Sequence, residues 1–307
     1  MLFRSTLLLF SFLLFSFPNS LIAHENIKTI AFAQDTMAND YRKAQVFEVR
    51  DVIKTHNNLK FVYSDAKGKV SKLIFQIDHF IKSKVDLIIV GTNDANAVVP
   101  IVRKAYKSGI PIIILDRGIN STDYTTFINS DNIKIGKMGA EFIAKKINYK
   151  GKVLLFEGLQ KADVTQLRSK GFMDEISKYK NIEVIKRTGN YLRHDAIVEM
   201  EKLLQKGIQI DAIFSESDSM LSGVRSAMWR FKQDPSSIVM VGCDYTSEAQ
   251  KEIQKGNQTA SIKFPLAGKQ AVAYAIDILN KKSLPKHIYI PVKLVTKENV
   301  DKIKPVF

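Results

Sequence analysis

The sequence predicts an α/β protein built as two similar lobes, each a doubly wound parallel sheet. Three observations carry that prediction: short aliphatic runs recur from Lys28 onward, they alternate with segments of helical period, and the series occurs twice over similar lengths. The first series is KTIAFA (28–33), FVYSD (61–65), VDLIIVG (85–91) and PIIILD (111–116). Runs that stay apolar, rather than alternating with polar residues, suit strands covered on both faces. Between them Leu73, Ile74, Ile77, Phe80 and Ile81, then Val98, Ile101, Val102 and Ala105, recur at i, i+3, i+4 spacing and predict helices with one apolar stripe. The second series is KVLLFEG (152–158), IEVIKRT (182–188), DAIFSES (211–217), SIVMVGCD (237–244) and TASIKF (259–264), separated by stripes such as Ile197, Met200 and Leu204. No Pro- or Ser-rich linker divides the two series, so the lobes are expected to be joined by strands. A chain of 307 residues is long enough for two cores.

The N-terminus stands apart. Arg4 precedes the apolar run TLLLFSFLLFSF (6–17), which Pro18-Asn19-Ser20 breaks. That run is well short of the roughly 20 residues a spanning helix needs, so residues 1–23 are expected to be a signal peptide cleaved near Ala23. With no Cys near that point, a lipid anchor is not expected. The formal charge of +15 raises the question of nucleic acid. The lysines, however, are spread along nearly every helix rather than gathered with aromatics, which reads as a basic solvated surface and no nucleic-acid partner. Cys243 is single and follows Val239, Met240 and Val241, so it reads as a small buried hydrophobe. The five histidines are scattered, and no metal site is expected. Nor does a nucleophile elbow or a phosphate-cradling glycine loop appear, so neither an enzyme nor a cofactor is expected.

Ligands of open α/β sheets sit beyond the carboxyl ends of the strands. The strand tips here are polar: Gln34-Asp35, Ser64-Asp65, Thr92-Asn93-Asp94, Asp116-Arg117, Glu157, Ser217-Asp218 and Asp244-Tyr245. Asp, Asn and Ser at such places also serve as helix N-caps. Arg117 is not a capping residue, and an arginine at the tip of a core strand points to a polar cleft shared by the two sheets.

The segments TIAFAQDTMANDYRKAQ (29–45), IPIIILDRGI (110–119), INSDNIKIGKMGAEFIAKKI (128–147), EGLQKADVTQLRSKGF (157–172), AIFSESDSMLSGV (212–224) and VMVGCDYTSEAQKEIQKG (239–256), taken in order and spacing, are specific. Through them the chain resembles periplasmic sugar-binding proteins of the ribose and galactofuranose type, the substrate-binding subunits of bacterial ABC importers. The resemblance spans about residues 27–300. The lactose-repressor type shares that fold but opens on a helix-turn-helix, where this sequence has its apolar run.

The resemblance implies a monosaccharide or polyol held between two lobes that close about a three-strand hinge near Ser130, Lys263 and Pro291. It implies an N-terminal lobe of 24–129 with 264–290 and a C-terminal lobe of 130–263 with 291–307. It further implies a monomer in the periplasm, partnered by a membrane permease or, in the alternative, by a sensor histidine kinase or chemoreceptor. Asn39, Tyr41 and Arg42 match the family's loop after the first strand, where an aromatic ring can cover a sugar face and an arginine can donate to hydroxyls. Asp116 and Arg117 match its acid–base pair. Arg168, Tyr191 and Asp244 fall on contacts of the second lobe, although Tyr191 also suits a core position and Arg42 a solvated helix face. The sequence departs from its relatives at Ser217-Asp218, where many carry Asn-Asp, and at Lys263 or Phe264, where ribose binders carry Gln. Arg42, Arg117, Arg168 and Lys263 would outnumber the carboxylates, which suits an anionic or heavily oxygenated ligand unless Asp35 or Glu157 balances them.

Overall fold

The computed structural model describes residues 27–307; the signal-peptide expectation for 1–23 lies outside the described residues. In chain order the first series runs β1 (Lys28–Gln34), α1 (Asp40–Ile53), β2 (Leu59–Asp65), α2 (Val70–Lys82), β3 (Leu87–Gly91), α3 (Val99–Lys107), β4 (Ile112–Leu115) and β5 (Thr126–Ser130). The second runs α4 (Asn132–Lys146), β6 (Gly151–Glu157), α5 (Asp163–Ile176), β7 (Ile182–Thr188), α6 (Arg193–Gln205), β8 (Ala212–Ser215), α7 (Asp218–Arg230), β9 (Val239–Asp244), α8 (Ser247–Lys255) and β10 (Ala260–Lys263). The chain then returns to the first lobe with α9 (Gly268–Leu279) and β11 (His287–Ile290), and to the second with β12 (Lys293–Thr296).

Two six-stranded sheets result, ordered β11-β5-β4-β3-β1-β2 and β12-β10-β9-β8-β6-β7. All pairings in the first are parallel. In the second only β12 runs antiparallel, against β10. The chain thus passes between sheets after Ser130, after Lys263 and between Ile290 and Lys293.

The period of two along each strand sorts the core into layers. Ile30 and Phe32 of β1 join Ile89 and Leu115 on one face, against Val46 and Val49 of α1 and Ala271 and Val272 of α9. Ala31 and Ala33 join Val90 and Ile114 on the other, against Leu73 and Ile77 of α2 and Val102 of α3. The second sheet repeats the scheme. Val153, Leu155 and Cys243 face α4 and α5, while Leu154, Phe156 and Met240 face α6 and α7. The edge strands LKFVYSD and IEVIKRT carry charged residues because one side of each meets solvent.

The register brings the strand tips level. Gln34 pairs with both Asp65 and Gly91, and Val90 with Ile114, so Asp35, Thr92 and Asp116 emerge side by side. In the second sheet Asp244 pairs with Lys263, and Phe156 with Ser215.

Candidate functional site

Between the two sets of tips lies a small cavity, with about 20 Å³ open to the centre of a water-sized sphere. Asn39, Tyr41, Arg42, Asp116 and Arg117 line it from the first lobe; Val164, Arg168, Tyr191, Ser217 and Asp244 line it from the second, and Phe264 lies where the chain crosses back. Two of the expected contact residues sit elsewhere. Asp218 turns its carboxylate to Ser261 Oγ (2.6 Å), Gln258 Nε2 (2.7 Å) and the Tyr245 amide (2.8 Å). Lys263 donates outward to the Lys304 carbonyl at 2.6 Å.

The first-lobe wall is an ion-pair network. Arg42 donates through Nε to Asp35 Oδ1 and through NH1 to Asp116 Oδ2, both at 3.0 Å, and through NH2 to the Thr92 carbonyl at 3.1 Å. Arg117 donates to Asp35 Oδ2, also at 3.0 Å. Asp35 is therefore the hub, a residue the sequence offered only as a possible counter-charge. Its strand-tip position was the one available signal. Arg42, expected to donate to ligand hydroxyls, is spent largely on the protein. Burial, then the neighbouring Arg42 charge, push the pKa of Arg117 down, although a guanidinium stays charged.

The second-lobe wall is held by hydrogen bonds and ring contacts. Arg168 donates through Nε to Asn132 Oδ1 (2.8 Å) and through NH1 to the Glu216 carbonyl (2.7 Å), and its guanidinium lies 4.6 Å over the Phe264 ring. Tyr41 stands against Phe264 with ring centres 5.3 Å apart, its hydroxyl donating to the Pro265 carbonyl. Tyr191 bonds Thr165 through its hydroxyl and carries Arg117 5.0 Å over its ring. The oxygens of Asn39 and Ser217 cap α1 and α7, as N-caps do.

Two buried polar atoms of residues that line this cavity have no protein partner, Arg117 Nε and Asp244 Oδ2. One is a donor and the other an acceptor, and burying either unpaired costs about 1–3 kcal/mol. Burial above all, then the Asp218 charge, raise the Asp244 carboxyl well above the usual range. Strain concentrates here too: Asp116 (φ 67°), Tyr191 (φ 62°) and Asp244 (φ 100°) all occupy the left-handed region, which non-glycine residues seldom adopt. The excess of positive charge is smaller than the sequence implied: Lys263 turns away and Asp35 joins the wall, so Arg42, Arg117 and Arg168 face Asp35, Asp116 and Asp244, the last pushed toward its neutral form by burial.

The lobes meet around the cavity. Asn39 Nδ2 donates to the Tyr191 carbonyl and the Gly118 amide to Asp163 Oδ2, each at 2.8 Å, while Asp40 reaches Ser219 (3.0 Å) and Arg193 (3.2 Å). At Gly118 a β-carbon would lie 2.7 Å from Asp163 Oδ2, so a larger residue there would push that carboxylate aside. A tight polar chamber under two lobes, with an unmatched donor and acceptor inside, is the build of a solute-capturing protein.

The periplasmic binding protein domain family matches residues 30–283, and the chain belongs to that family. It is 31% identical over 242 residues to the ribose import binding protein of Bacillus subtilis, covering 78% of each chain. It is 28% identical over 262 residues to a putative rhizopine-binding protein of Rhizobium meliloti, covering 82% of this chain and 84% of the other. Among solved structures it superposes with a TM-score of 0.86 on an ABC-transporter solute-binding protein of Bacillus halodurans with bound myo-inositol, at 25% identity over 91% of this chain and 98% of that one. It superposes at 0.85, with 28% identity, on the fructose-binding periplasmic domain of a hybrid two-component system, over 90% and 92% of the respective chains.

Proposed function

We propose that this protein is the substrate-binding subunit of an ABC importer and captures a neutral monosaccharide or polyol without altering it. The observation that carries the reading is the orphan pair Arg117 Nε and Asp244 Oδ2. A hydroxyl both accepts and donates, so a ring bearing several hydroxyls meets both demands. Arg42 and Arg117 are already paired with Asp35 and Asp116, which leaves little positive charge for a phosphate and favours a neutral ligand. In this reading residues 24–129 with 264–290 and 130–263 with 291–307 move as two rigid bodies, and closure forms the surface a permease reads. Export is part of it, with cleavage near Ala23; N-terminal sequencing of the exported protein is expected to start within a few residues of His24.

A thermal-shift screen of pentoses, hexoses, inositols and sugar phosphates tests the central claim. A neutral polyol at a hundredfold excess over its dissociation constant stabilises the protein by about 2.7 kcal/mol, and is expected to be recovered chemically unchanged. Stabilisation by phosphorylated sugars alone, or turnover at stoichiometric protein, overturns it. The likeness to the fructose-binding domain of a two-component system favours one second reading, a ligand-sensing partner of a membrane kinase. Adjacent genes for a permease and ATPase, or for a kinase, separate the two.

A further inference from the structure

Behind Tyr191 lies a buried cluster that the binding scheme does not use. Ser169 Oγ stands 2.9 Å from Glu157 Oε1 and equally 2.9 Å from Glu216 Oε1. A serine hydroxyl has one hydrogen to give. With both carboxylates ionised, one of these contacts would set lone pair against lone pair. We propose that Glu216 is held as a neutral carboxylic acid, which positions Tyr191 and makes ligand capture depend on a proton. The dependence of capture rests on the cavity being a ligand site.

The assignment to Glu216 follows from the surroundings. Glu216 is fully buried, whereas Glu157 is reached by Gln160 Nε2 at 3.2 Å and by the half-exposed Lys186 Nζ at 3.4 Å. With the proton on Glu216 Oε1 every contact is satisfied. Oε1–H donates to Ser169, whose own hydrogen goes to Glu157; Oε2 accepts from the Gly158 amide (2.9 Å) and the Tyr191 hydroxyl (3.2 Å). Tyr191 in turn accepts from Thr165 at 2.7 Å. The ring is pressed onto the same backbone: a β-carbon at Gly158 would fall 1.9 Å from Tyr191 Cζ. The groups facing Glu216 are Glu157 from β6, Arg168 and Ser169 from α5, Tyr191 from the loop before α6 and the buried Cys243 thiol on β9, with Lys186 of β7 behind Glu157. Burial foremost, and the Glu157 charge, push the Glu216 carboxyl up to about 7, against the pull of the Gly158 amide, Arg168 and Ser169.

Tyr191 is also where the first lobe rests, through Asn39 and Arg117. Opening takes Asn39 and Arg117 off Tyr191; in the proposal this loosens the ring over Glu216, so the open form tolerates the anion better than the closed form. Closing therefore raises the proton affinity of Glu216. Capture is full below the open-form value, weakens as pH rises toward the closed-form value of about 7, and levels off above it.

Difference infrared spectra of wild type against Glu216→Gln, recorded near pH 6 (about where the acid persists), are expected to show a carboxylic-acid C=O band that the variant lacks. No such band overturns the proposal, whether or not any sugar binds. Calorimetric titration with D-ribose, D-fructose and myo-inositol as probes supplies the second test. Wild-type affinity for the probe that binds is expected to fall by about tenfold for each unit by which closing raises the proton affinity. Glu216→Gln, whose amide can donate to Ser169 and accept from Tyr191, is expected to bind with a flat profile over the same range. A variant weakened at every pH, or a flat wild-type profile, shows that Glu216 acts as an ionised acceptor and refutes the idea. Absence of binding by all three probes counts against the ligand reading, and the infrared band still decides the state of Glu216.

Discussion

On the first-lobe wall nearly every charge meets its opposite within the protein: Asp35 joins Arg42 to Arg117, and Arg42 also holds Asp116. On the second-lobe wall Arg168 is held by a side-chain amide and a carbonyl, and Asp244 keeps an unpaired oxygen. Each wall keeps one unpaired atom, Arg117 Nε on the first and Asp244 Oδ2 on the second, but only on the first are the charges matched within the protein. Mutations on the first wall should thus show in stability, and those on the second in affinity.

The largest effect is expected for Asp35→Ala, which leaves two buried guanidiniums facing one another. Breaking a buried ion pair by removing one partner costs about 3–5 kcal/mol, measurable by denaturant unfolding of the ligand-free protein. A near-wild-type midpoint would dissolve the contrast between the walls. Asp116→Ala should fall between categories, because Oδ2 serves Arg42 while the residue also lines the cavity. An affinity loss of about 1.5–3 kcal/mol, roughly ten- to a hundredfold, is expected by calorimetry, together with a lowered melting temperature.

Asp244→Asn sharpens the comparison from the other side. A carboxyl whose folded-state value is raised subtracts stability above its unfolded value of about 4. Removing the ionisable group should give stability back at neutral pH, while affinity falls by about tenfold or more as an acceptor is lost. Reduced stability with intact affinity would place Asp244 on the structural side. The smallest effect is expected for Asp40→Ala, which removes an interlobe ion pair whose two side chains are 45% and 44% exposed. Such pairs are worth about 0.2–1 kcal/mol, so affinity should drop by no more than roughly fivefold, and the drop should vanish at high salt.

The aliphatic runs made most of the fold legible, because strands buried on both faces have little choice of residue. β5 (TFINS), β11 (HIYI) and β12 (KLVT) were not legible. They lie at the margins where the chain crosses between sheets, and their mixed composition carries no period. Strand-tip position and resemblance together found ten residues of the cavity wall. Both failed for Asp218, whose partner Gln258 lies forty residues away, and for Lys263, which a strand register turns outward. Glu216 was hidden inside the run DAIFSES, where it reads as the polar end of a strand. Only the meeting of β6, α5 and the loop before α6 gives it partners, and no local pattern encodes that meeting.

The return of α9 and β11 to the first sheet sets an order on how the chain can mature. Chains fold as they emerge, N-terminal parts first, yet β5 lacks its outer neighbour β11, and α1 lacks α9, until residue 290 is available. The second sheet has all but β12 by residue 263. The lobe begun first is thus finished late, and a chain delivered end-on through a membrane would pass most of its length before its N-terminal half could lock.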